Sequence, residues 1–402
     1  MTPFNATSFR QQFPALKHAT AYLDSAATAL KPQCVIDAVQ QFYRTGNGTV
    51  HRSQHQAAQA LTQQFEHARE QVAALLNTDD PRAIVWTKGA TEAINLVAQS
   101  YARPRLQPGD EIIVSETEHH ANLIPWLMVA KQTGARVIKL PIGTDWLPDI
   151  EQLASLLTAK TRVLALSHMS NVTGGRPNLA KAIQLAHQYG AIVVVDGAQG
   201  MVHCPPDVRA LDIDFYAFSG HKLYAPTGLG VLYGKIALLE QMEPWHGGGK
   251  MMTQVSFDGF TPQSIPHRFE AGTPHIAGVL GLSAAIDWLS RLDWQGAERH
   301  SQNLAAQAEM QFAQQFPGFR SFRCTDASIL SFEFVGVHHS DLVTLLAESG
   351  IALRAGHHCA QPLMEALGVS GTLRASFAPY NNEQDVTSLI TATRLALELL
   401  AD

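Results

Sequence analysis

Short apolar runs alternate with amphipathic segments of helical period between about residues 83 and 234. Helical spacing, with apolar residues three and four positions apart, is clearest at residues 150–157 and 179–188. The apolar runs are predicted as strands at residues 83–86, 111–114, 136–140, 163–166, 192–195, 214–218 and 230–233. This alternation predicts a large α/β domain with a mostly parallel sheet that helices cover on both faces.

The pattern changes after about residue 278, where helical segments come to outnumber strands. Helices are predicted at residues 279–292, 301–315, 340–349 and 383–400, and strands at 329–334 and 373–377. These elements indicate a smaller α+β lobe, which the N-terminal segment is expected to join in space. A chain of 402 residues has room for both. We expect a large ligand-binding domain at residues 20–278 and a small domain formed by residues 1–19 with 279–402.

The charge and composition of the chain argue against nucleic acids and membranes as partners. The chain has 29 Lys and Arg against 35 Asp and Glu, a net charge of -6, so no basic surplus exists for a nucleic acid or an anionic membrane. No apolar run approaches the ~18 residues that span a bilayer. The four cysteines, Cys34, Cys204, Cys324 and Cys359, lack paired spacing, which favours free thiols and a cytoplasmic location.

Three polar groups follow predicted strands, at the sheet edge where α/β proteins bind ligands. Thr91 lies in a Gly/Thr turn that opens a helix, which suits a phosphate but is also an ordinary helix start. Asp196 ends an apolar run, so it must pair with a cation or keep its proton, unless it only caps a helix. Lys222 follows a buried run, and a partly desolvated amine is suited to form a Schiff base with an aldehyde.

One cofactor accounts for these groups together. Pyridoxal 5'-phosphate (PLP) needs an amine for its aldehyde, a carboxylate for its ring nitrogen and hydroxyls for its phosphate. Lys222, Asp196, Ser219 and Thr91 supply these groups. A flat side chain against the ring could come from His119 or His120, and the sequence leaves open which one.

A second chemical centre is predicted at residues 354–362, in the smaller lobe. Cys359 follows glycine, two histidines and Arg354 in a loop signal, surroundings that favour an accessible thiolate. A structural role fits Cys34, Cys204 and Cys324 better. Arg374 lies on an otherwise apolar strand, where its planar fork could bind a substrate carboxylate or form a structural ion pair.

With these residues assembled, the sequence resembles the cysteine desulfurases among the class-V aminotransferases, which are fold-type I PLP enzymes. Within them it is most similar to the branch of cysteine sulfinate desulfinase and selenocysteine lyase. The resemblance covers nearly the whole chain, in blocks at residues 22–28 (YLDSAAT), 50–52 (VHR), 89–92 (GATE), 118–122 (EHHAN), 170–171 (SN), 195–199 (VDGAQ), 218–222 (FSGHK), 269–274 (FEAGTP) and 354–359 (RAGHHC).

The resemblance implies roles for individual residues. Asp196 would pair with the ring nitrogen, His119 would stack on the ring, and Gln199 would contact its phenolic oxygen. The cofactor-binding residues would be Lys222, Thr91, His119, Asn171, Asp196, Gln199, Ser219, His221 and, from the other subunit of a homodimer, Thr273. The substrate-binding residues would be Arg374, Arg354 and Asn171. The catalytic residues would be Lys222, which would also remove the α-proton, and Cys359.

The implied reaction converts L-cysteine to L-alanine and leaves the sulfur on Cys359 as a persulfide for a small sulfur-acceptor protein. Iron–sulfur cluster assembly is one use of such sulfur. One alternative is a lyase for cysteine sulfinate or selenocysteine, and a second is a non-catalytic sulfur carrier. Departures from the commoner family pattern at Ala90, residues 171–175, Ala225 and Lys250 favour the sulfinate-desulfinase-like members.

Overall fold

The computed structural model describes residues 2–18, 21–46 and 48–401. Its helices are α1 (Ala6–Arg10), α2 (Gln33–Thr45), α3 (Gln56–Leu75), α4 (Ala90–Leu96), α5 (Ile124–Thr133), α6 (Ile150–Leu156), α7 (Leu179–Gln188), α8 (Gly200–His203), α9 (Ile236–Glu240), α10 (Ile276–Leu289), α11 (Trp294–Gln315), α12 (His339–Glu348), α13 (Gln361–Leu367) and α14 (Glu383–Ala401). Its strands are β1 (Ala21–Tyr22), β2 (Ile84–Thr87), β3 (Glu111–Ser115), β4 (Arg136–Leu140), β5 (Thr161–Ser167), β6 (Ile192–Asp196), β7 (Phe215–Ser219), β8 (Gly230–Gly234), β9 (Met252–Ser256), β10 (Gly259–Pro262), β11 (Phe319–Ser321), β12 (Ile329–Phe334), β13 (Ile351–Ala352), β14 (Arg354–Gly356) and β15 (Thr372–Ser376).

A seven-stranded sheet forms the centre of the larger lobe, with strand order β2-β8-β7-β6-β5-β3-β4. Strands β3 to β7 pair in parallel, whereas β8 runs antiparallel to β7 and β2. All seven predicted strands are present, each shifted by two residues at most. The predicted α/β class with a mostly parallel sheet is therefore confirmed.

Helices cover both faces of this sheet, which explains why its central strands read as continuous apolar runs. Side chains alternate across a strand. Val193 and Val195 therefore enter the cluster beneath α3, α7 and α10, while Val194 enters the opposite cluster beneath α4 and α5. All three valines are fully buried, so β6 lies between the two packed layers.

The smaller lobe contains an antiparallel sheet with strand order β11-β12-β15-β14. Helices α11, α12 and α14 pack on it around a core that includes Phe312, Phe332 and Leu373. The two-residue strand β1 pairs in parallel with β13 and ties the N-terminal segment to this lobe. The predicted α+β character of the lobe is confirmed.

The predicted division into domains stays a prediction. Its first boundary falls at Ala19 and Thr20, which lie outside the described residues. Its second boundary, at residue 278, falls inside α10, and the buried side chains Val279 and Leu282 of this helix belong to the core of the larger lobe. The packing favours a boundary after α10, near Asp293.

Within the described ranges, no helix combines the length and the apolar character that crossing a membrane requires.

Candidate active site

A cavity of about 240 Å³ opens where β5, β6 and β7 end, and the smaller lobe closes it from the opposite side. Because these strands are parallel neighbours, their last residues Ser167, Asp196 and Ser219 meet at one edge of the sheet. The cavity is lined by Ala26, Ala27, Ala90, Thr91, His119, Ala121, Ser167, Met169, Asn171, Asp196, Ala198, Gln199, Ser219, His221, Lys222, Arg354, His358, Cys359 and Arg374. The predicted cofactor residues and the predicted reactive cysteine, which are distant in sequence, therefore line the same cavity.

Lys222 lies in a short 3-10 turn, Gly220–Lys222, directly after β7. Desolvation by burial lowers the pKa of its amine from 10.5 to about 8, with Arg374 lowering it further and the carboxylate of Asp196 acting in the opposite direction. Near neutral pH a minor fraction of the amine is therefore neutral, far more than for an ordinary lysine. A neutral amine is the form that attacks an aldehyde.

Asp196 is the last residue of β6 and is 6% exposed. Burial raises the pKa of its carboxyl group, and the backbone N–H of Ala198, 2.9 Å from Oδ1, and Lys222 oppose this rise. Gln199, not Asp196, precedes the first residue of α8, so helix capping does not account for this acid. A buried carboxyl group beside a cavity is suited to hold a cationic ring nitrogen.

Two glycines shape the turn that follows Asp196. A Cβ atom at Gly197 would lie 2.0 Å from the ring of Tyr216, and one at Gly200 would lie 2.3 Å from the ring of His168. These two rings are joined by a 2.8 Å hydrogen bond between the Tyr216 hydroxyl and His168 Nδ1. Neither position has room for a side chain, so the backbone of the turn lies close against these rings. Gln199, in the same turn, lines the cavity.

The structure distinguishes the two adjacent histidines. His119 lines the cavity, and its Nδ1 accepts a hydrogen bond from the backbone N–H of Ala121 at 3.0 Å. Burial, followed by the charge of Lys222, lowers the pKa of His119 to about 4, so its ring is neutral. The ring of His120 lies against the Cys359 loop instead, where Nε2 accepts from the backbone N–H of Gln361. Of the two, only His119 is placed to face a ring in the cavity.

The residues predicted to hold a phosphate gather at one end of the cavity. The hydroxyl of Ser219 accepts a hydrogen bond from the backbone N–H of Ala90 at 2.9 Å, and Thr91 lies exposed at the rim. Nδ1 of His221 lies 3.1 Å from the Thr28 hydroxyl, and burial lowers the pKa of His221 to about 4. Hydroxyl and backbone donors therefore dominate this end.

Cys359 is exposed and lies in a loop between β14 and α13, as predicted. Its backbone and that of His358 are left-handed, with φ of 54° and 53°. His358 is buried, with Nε2 2.9 Å from the Thr372 hydroxyl, and burial lowers its pKa to about 3. The His358 imidazole is therefore neutral. The Cys359 thiol is free and exposed, so its sulfur is accessible.

Arg354 and Arg374 lie directly opposite each other on the antiparallel strands β14 and β15. Arg374 is buried, and its Nη1 donates to the backbone oxygen of Asn171 at 3.1 Å. Its Nε is buried without a hydrogen-bond partner among the described residues. Arg354 is half exposed, with 51% of its side-chain surface accessible. A buried donor beside the cavity is what an anionic substrate group requires.

Sequence reasoning assigned no role to two acids near this site. Asp24 places its carboxylate 3.3 Å from Arg354 and 3.4 Å from Arg374. Glu118 is buried, accepts hydrogen bonds from Asn122 Nδ2 at 2.6 Å and from Ser167 Oγ at 2.8 Å, and burial raises its pKa to about 7. Asp24 lies in the block at residues 22–28 and Glu118 in the block at residues 118–122. The family resemblance of these blocks is the sequence feature that could have indicated a role for both acids.

The remaining predicted residues lie apart from the cavity. Thr273 is exposed and does not line it, so its expected contribution from a second subunit stays a prediction. Cys34, Cys204 and Cys324 are also outside its wall, and burial raises the pKa of the Cys34 and Cys324 thiols. A raised pKa disfavours the reactive thiolate form.

Away from the cavity, His51, Glu66 and His267 bring three ligand atoms within 4.8 Å of one another, a group that could in principle bind a metal ion. Both oxygens of Glu66 already accept hydrogen bonds from Arg69, at 2.8 and 3.2 Å. A metal ion would have to displace this buried guanidinium. The group is better explained as an ion-pair network.

The fold and the cavity define a class of protein, and comparison with known proteins agrees. The aminotransferase class-V family model matches residues 21–389, and the chain belongs to this family. It is 65% identical over its full length to the cysteine desulfurase CsdA of Escherichia coli (strain K12), whose whole length is covered.

Solved structures show the same likeness. The crystal structure of Escherichia coli CsdA, in an S-sulfonic acid form, matches with a TM-score of 0.95 and 64% identity, over 99% of this chain and all of that one. The apo cysteine desulfurase of Thermococcus onnurineus NA1 matches with a TM-score of 0.92 and 32% identity, over 99% of both chains. The predicted family and its fold-type I architecture are confirmed.

Enzymes of this family depend on PLP, which confirms the predicted cofactor. The chemical groups in the cavity fit this molecule: an amine of lowered pKa on Lys222, a buried carboxyl group on Asp196 and a hydroxyl group on Ser219. The Nε of Arg374 supplies a further buried donor that has no partner within the described residues.

Proposed function

We propose that this protein is a cysteine desulfurase that converts L-cysteine to L-alanine and takes the sulfur onto Cys359. One observation carries the proposal: the exposed thiol of Cys359 and the amine of Lys222 line the same cavity, although they come from different lobes. The full-length identity of 65% to a cysteine desulfurase supports the same activity.

PLP, when bound, supplies a ring that accepts the electron pair released at the substrate's Cα. Lys222 would hold the cofactor through its aldehyde, and its Nζ, once free, would remove the α-proton of the substrate. Asp196 would hold a protonated ring nitrogen, because a buried carboxylate is stabilised by a cation beside it. His119 would cover one face of the ring and Gln199 would contact its phenolic oxygen. The phosphate would be held by Thr91, Ser219 and His221.

Arg374 and Asn171 orient the substrate. The guanidinium of Arg374 binds the α-carboxylate, and its position is fixed by the bond from Nη1 to the Asn171 backbone oxygen. The amide of Asn171 also donates to the His358 carbonyl at 2.8 Å, so the residue that orients substrate also anchors the loop of Cys359.

In the sulfur-transfer step, the Cys359 thiolate forms an S–S bond to the substrate sulfur while the substrate's C–S bond breaks. The electron pair of that bond stays with the carbon fragment, which takes up protons and leaves as L-alanine. The net change is L-cysteine plus the Cys359 thiol to L-alanine plus a Cys359 persulfide.

The persulfide needs an acceptor, and a small sulfur-acceptor protein is the proposed partner. The exposed position of Cys359 supports transfer to a protein at the surface. A homodimer is proposed as well, with Thr273 of each chain completing the phosphate site of the other. Delivery of sulfur to iron–sulfur cluster assembly is consistent with this activity, and the cytoplasmic location stays a prediction.

A second candidate activity is the release of sulfite or selenium from cysteine sulfinate or selenocysteine. The pair of arginines beside the cavity favours it, because a sulfinate is a second anionic group on the substrate. A non-catalytic carrier is disfavoured, because a carrier has no use for Lys222, Asp196, Gln199 and Arg374.

The test is to incubate the holoenzyme with L-cysteine, cysteine sulfinate or selenocysteine and to quantify alanine. We expect alanine from L-cysteine together with a mass increase of one sulfur atom on Cys359. Borohydride treatment with PLP present should fix the cofactor to Lys222. Absence of alanine, or a label on another lysine, would overturn the proposal.

A further inference from the structure

The carbonyl oxygen of His221 lies in the peptide bond that leads directly into Lys222. Its partners within the described residues come from a distant segment: the backbone N–H of Ala29 at 3.1 Å, Nζ of Lys31 at 2.7 Å and the hydroxyl of Thr28 at 3.4 Å. The 3-10 turn that contains Lys222 is only three residues long. Because such turns have weak hydrogen bonds of their own, contacts with this segment fix the turn.

The segment that supplies these donors is itself anchored. The hydroxyl of Tyr22 donates to the carbonyl oxygen of Thr28 at 2.7 Å. The backbone N–H of Ala26 donates to the hydroxyl of Ser376, at the end of β15, at 2.9 Å. The segment can therefore hold the turn that follows β7 in one position.

Lys31 is a partly buried residue whose ammonium group bonds to carbonyl oxygens. Its Nζ donates to the Ala29 oxygen at 2.8 Å and to the His221 oxygen at 2.7 Å. Burial lowers its pKa from 10.5 to about 8, so the ammonium is still the main form near neutral pH. Hydrogen bonds from a charged donor are stronger than neutral ones, so Lys31 is the dominant donor to the His221 carbonyl.

The Thr28 hydroxyl has one proton and two possible acceptors on His221. Its Oγ1 lies 3.1 Å from the ring Nδ1 and 3.4 Å from the carbonyl oxygen. Because Lys31 already donates to that oxygen, the hydroxyl proton goes to Nδ1. Burial, followed by the charges of Lys222 and Lys31, lowers the pKa of His221 to about 4, so the ring is neutral. A neutral imidazole that accepts at Nδ1 carries its own proton on Nε2, where it can be donated.

We propose that Lys31 is a positioning residue for the cofactor. By binding the His221 carbonyl, it holds the turn of Lys222 and leaves the Thr28 hydroxyl to fix His221 as a donor to the phosphate. The inference rests on the proposed function, because Lys222 and His221 are proposed there to hold PLP. His221 lines the cavity and Lys31 does not, so Lys31 acts through His221 and not by contact with the cofactor.

The test compares PLP with pyridoxal, which lacks the phosphate. The full-length protein is loaded with each in turn, and the rate at which each leaves is followed by the absorbance retained on the protein. In Lys31→Met we expect the ratio of the PLP rate to the pyridoxal rate to rise about fivefold to tenfold. A general structural defect would accelerate both losses equally and leave the ratio unchanged.

Three further variants complete the test. Lys31→Arg keeps the charge and the donors, and its ratio should stay within twofold of wild type. Lys131→Met removes an exposed ammonium group on α5, outside the cavity wall, and serves as the matched control with the same expectation. Thr28→Val should raise the ratio as Lys31→Met does. Combining these two changes should raise it no further, because both act through one hydrogen bond to His221.

The proposal is overturned by an unchanged ratio in Lys31→Met, by a ratio in Lys31→Arg as high as in Lys31→Met, or by a further rise in the double variant. Should Lys31→Met fail to fold, Thr28→Val decides, and an unchanged ratio there overturns the proposal. Borohydride labelling of a lysine other than Lys222 would overturn the proposed function. An unchanged ratio with the label on Lys222 would overturn only the role of Lys31.

Discussion

The backbone N–H of His120 donates a hydrogen bond to the carbonyl oxygen of Cys359, with a distance of 2.6 Å between nitrogen and oxygen. The large lobe thus holds the backbone of the cysteine loop, and the amide of Asn171 adds a second bond to the neighbouring carbonyl of His358. The backbone is fixed while the thiol itself stays exposed. This arrangement presents the sulfur to both the cavity and the surface.

Cys359→Ala should separate the two candidate chemistries. Turnover of L-cysteine should fall by on the order of 10⁴-fold, because the nucleophile that accepts sulfur is gone. Turnover of cysteine sulfinate should survive, since its leaving group departs without a protein thiol. Alanine release from each substrate is the measurement. As a control, Cys34→Ala removes a thiol outside the cavity and should change neither rate. Equal losses for both substrates in Cys359→Ala would contradict the role of Cys359 as the sulfur acceptor.

The lowered pKa of Lys222 predicts how cofactor loading depends on pH. The neutral amine is the reactive form, so the rate at which apoenzyme takes up PLP should rise with pH and reach half its maximum near the pKa of about 8. Stopped-flow absorbance follows the uptake. Asp196→Asn removes a charge that raises this pKa, so the midpoint should move to lower pH. A midpoint that is the same in both proteins would contradict the coupling.

The buried carboxyl group of Glu118 predicts a pH-dependent cost to stability. Its pKa is raised from 4.5 to about 7, so the folded state keeps a proton that the unfolded state loses above pH 4.5. The resulting loss of stability grows from pH 4.5 to pH 7 and is fully present at higher pH.

Glu118→Gln removes this titration and keeps a hydrogen-bonding group for Asn122 and Ser167. We expect the variant to be more stable than wild type at pH 8 by about 1–3 kcal/mol and to match it near pH 4.5. Denaturant unfolding at the two pH values measures the difference. A difference that is independent of pH would show that Glu118 is not protonated in the folded protein.

Gly197→Ala should be strongly destabilising. Its Cβ would enter the ring of the fully buried Tyr216, and overpacking of this kind costs about 1–3 kcal/mol or more. Because the turn also aligns Asp196, the variant should bind PLP more weakly. Thermal unfolding and cofactor absorbance are the measurements.

Gly247→Ala is the matched control for Gly197→Ala, since nothing lies within 4 Å of its added Cβ. Its stability should stay within about 1 kcal/mol of wild type. Equal effects at the two positions would contradict the packing argument.

Much of this molecule is determined by local sequence pattern. Strands such as β6 are predicted because a short run of valines favours a strand buried on both faces. Lys222, Asp196 and Ser219 were found because ligand-binding groups follow such strands. The cysteine loop was found because Cys359 lies among polar and glycine residues instead of in an apolar run. Each of these signals lies within a few residues of the position it predicts.

The tertiary structure decided what depends on contacts between distant parts of the chain. Asp24 meets Arg374 across 350 positions, and no periodic pattern marks that pairing. The choice of His119 over His120 as the cavity residue depends on where the cysteine loop docks. The place of α10 in the core of the larger lobe likewise depends on its packing against α2 and α3. Periodicity identifies which residues are buried, whereas their partners are fixed only when the sheet order and the docking of the two lobes are set.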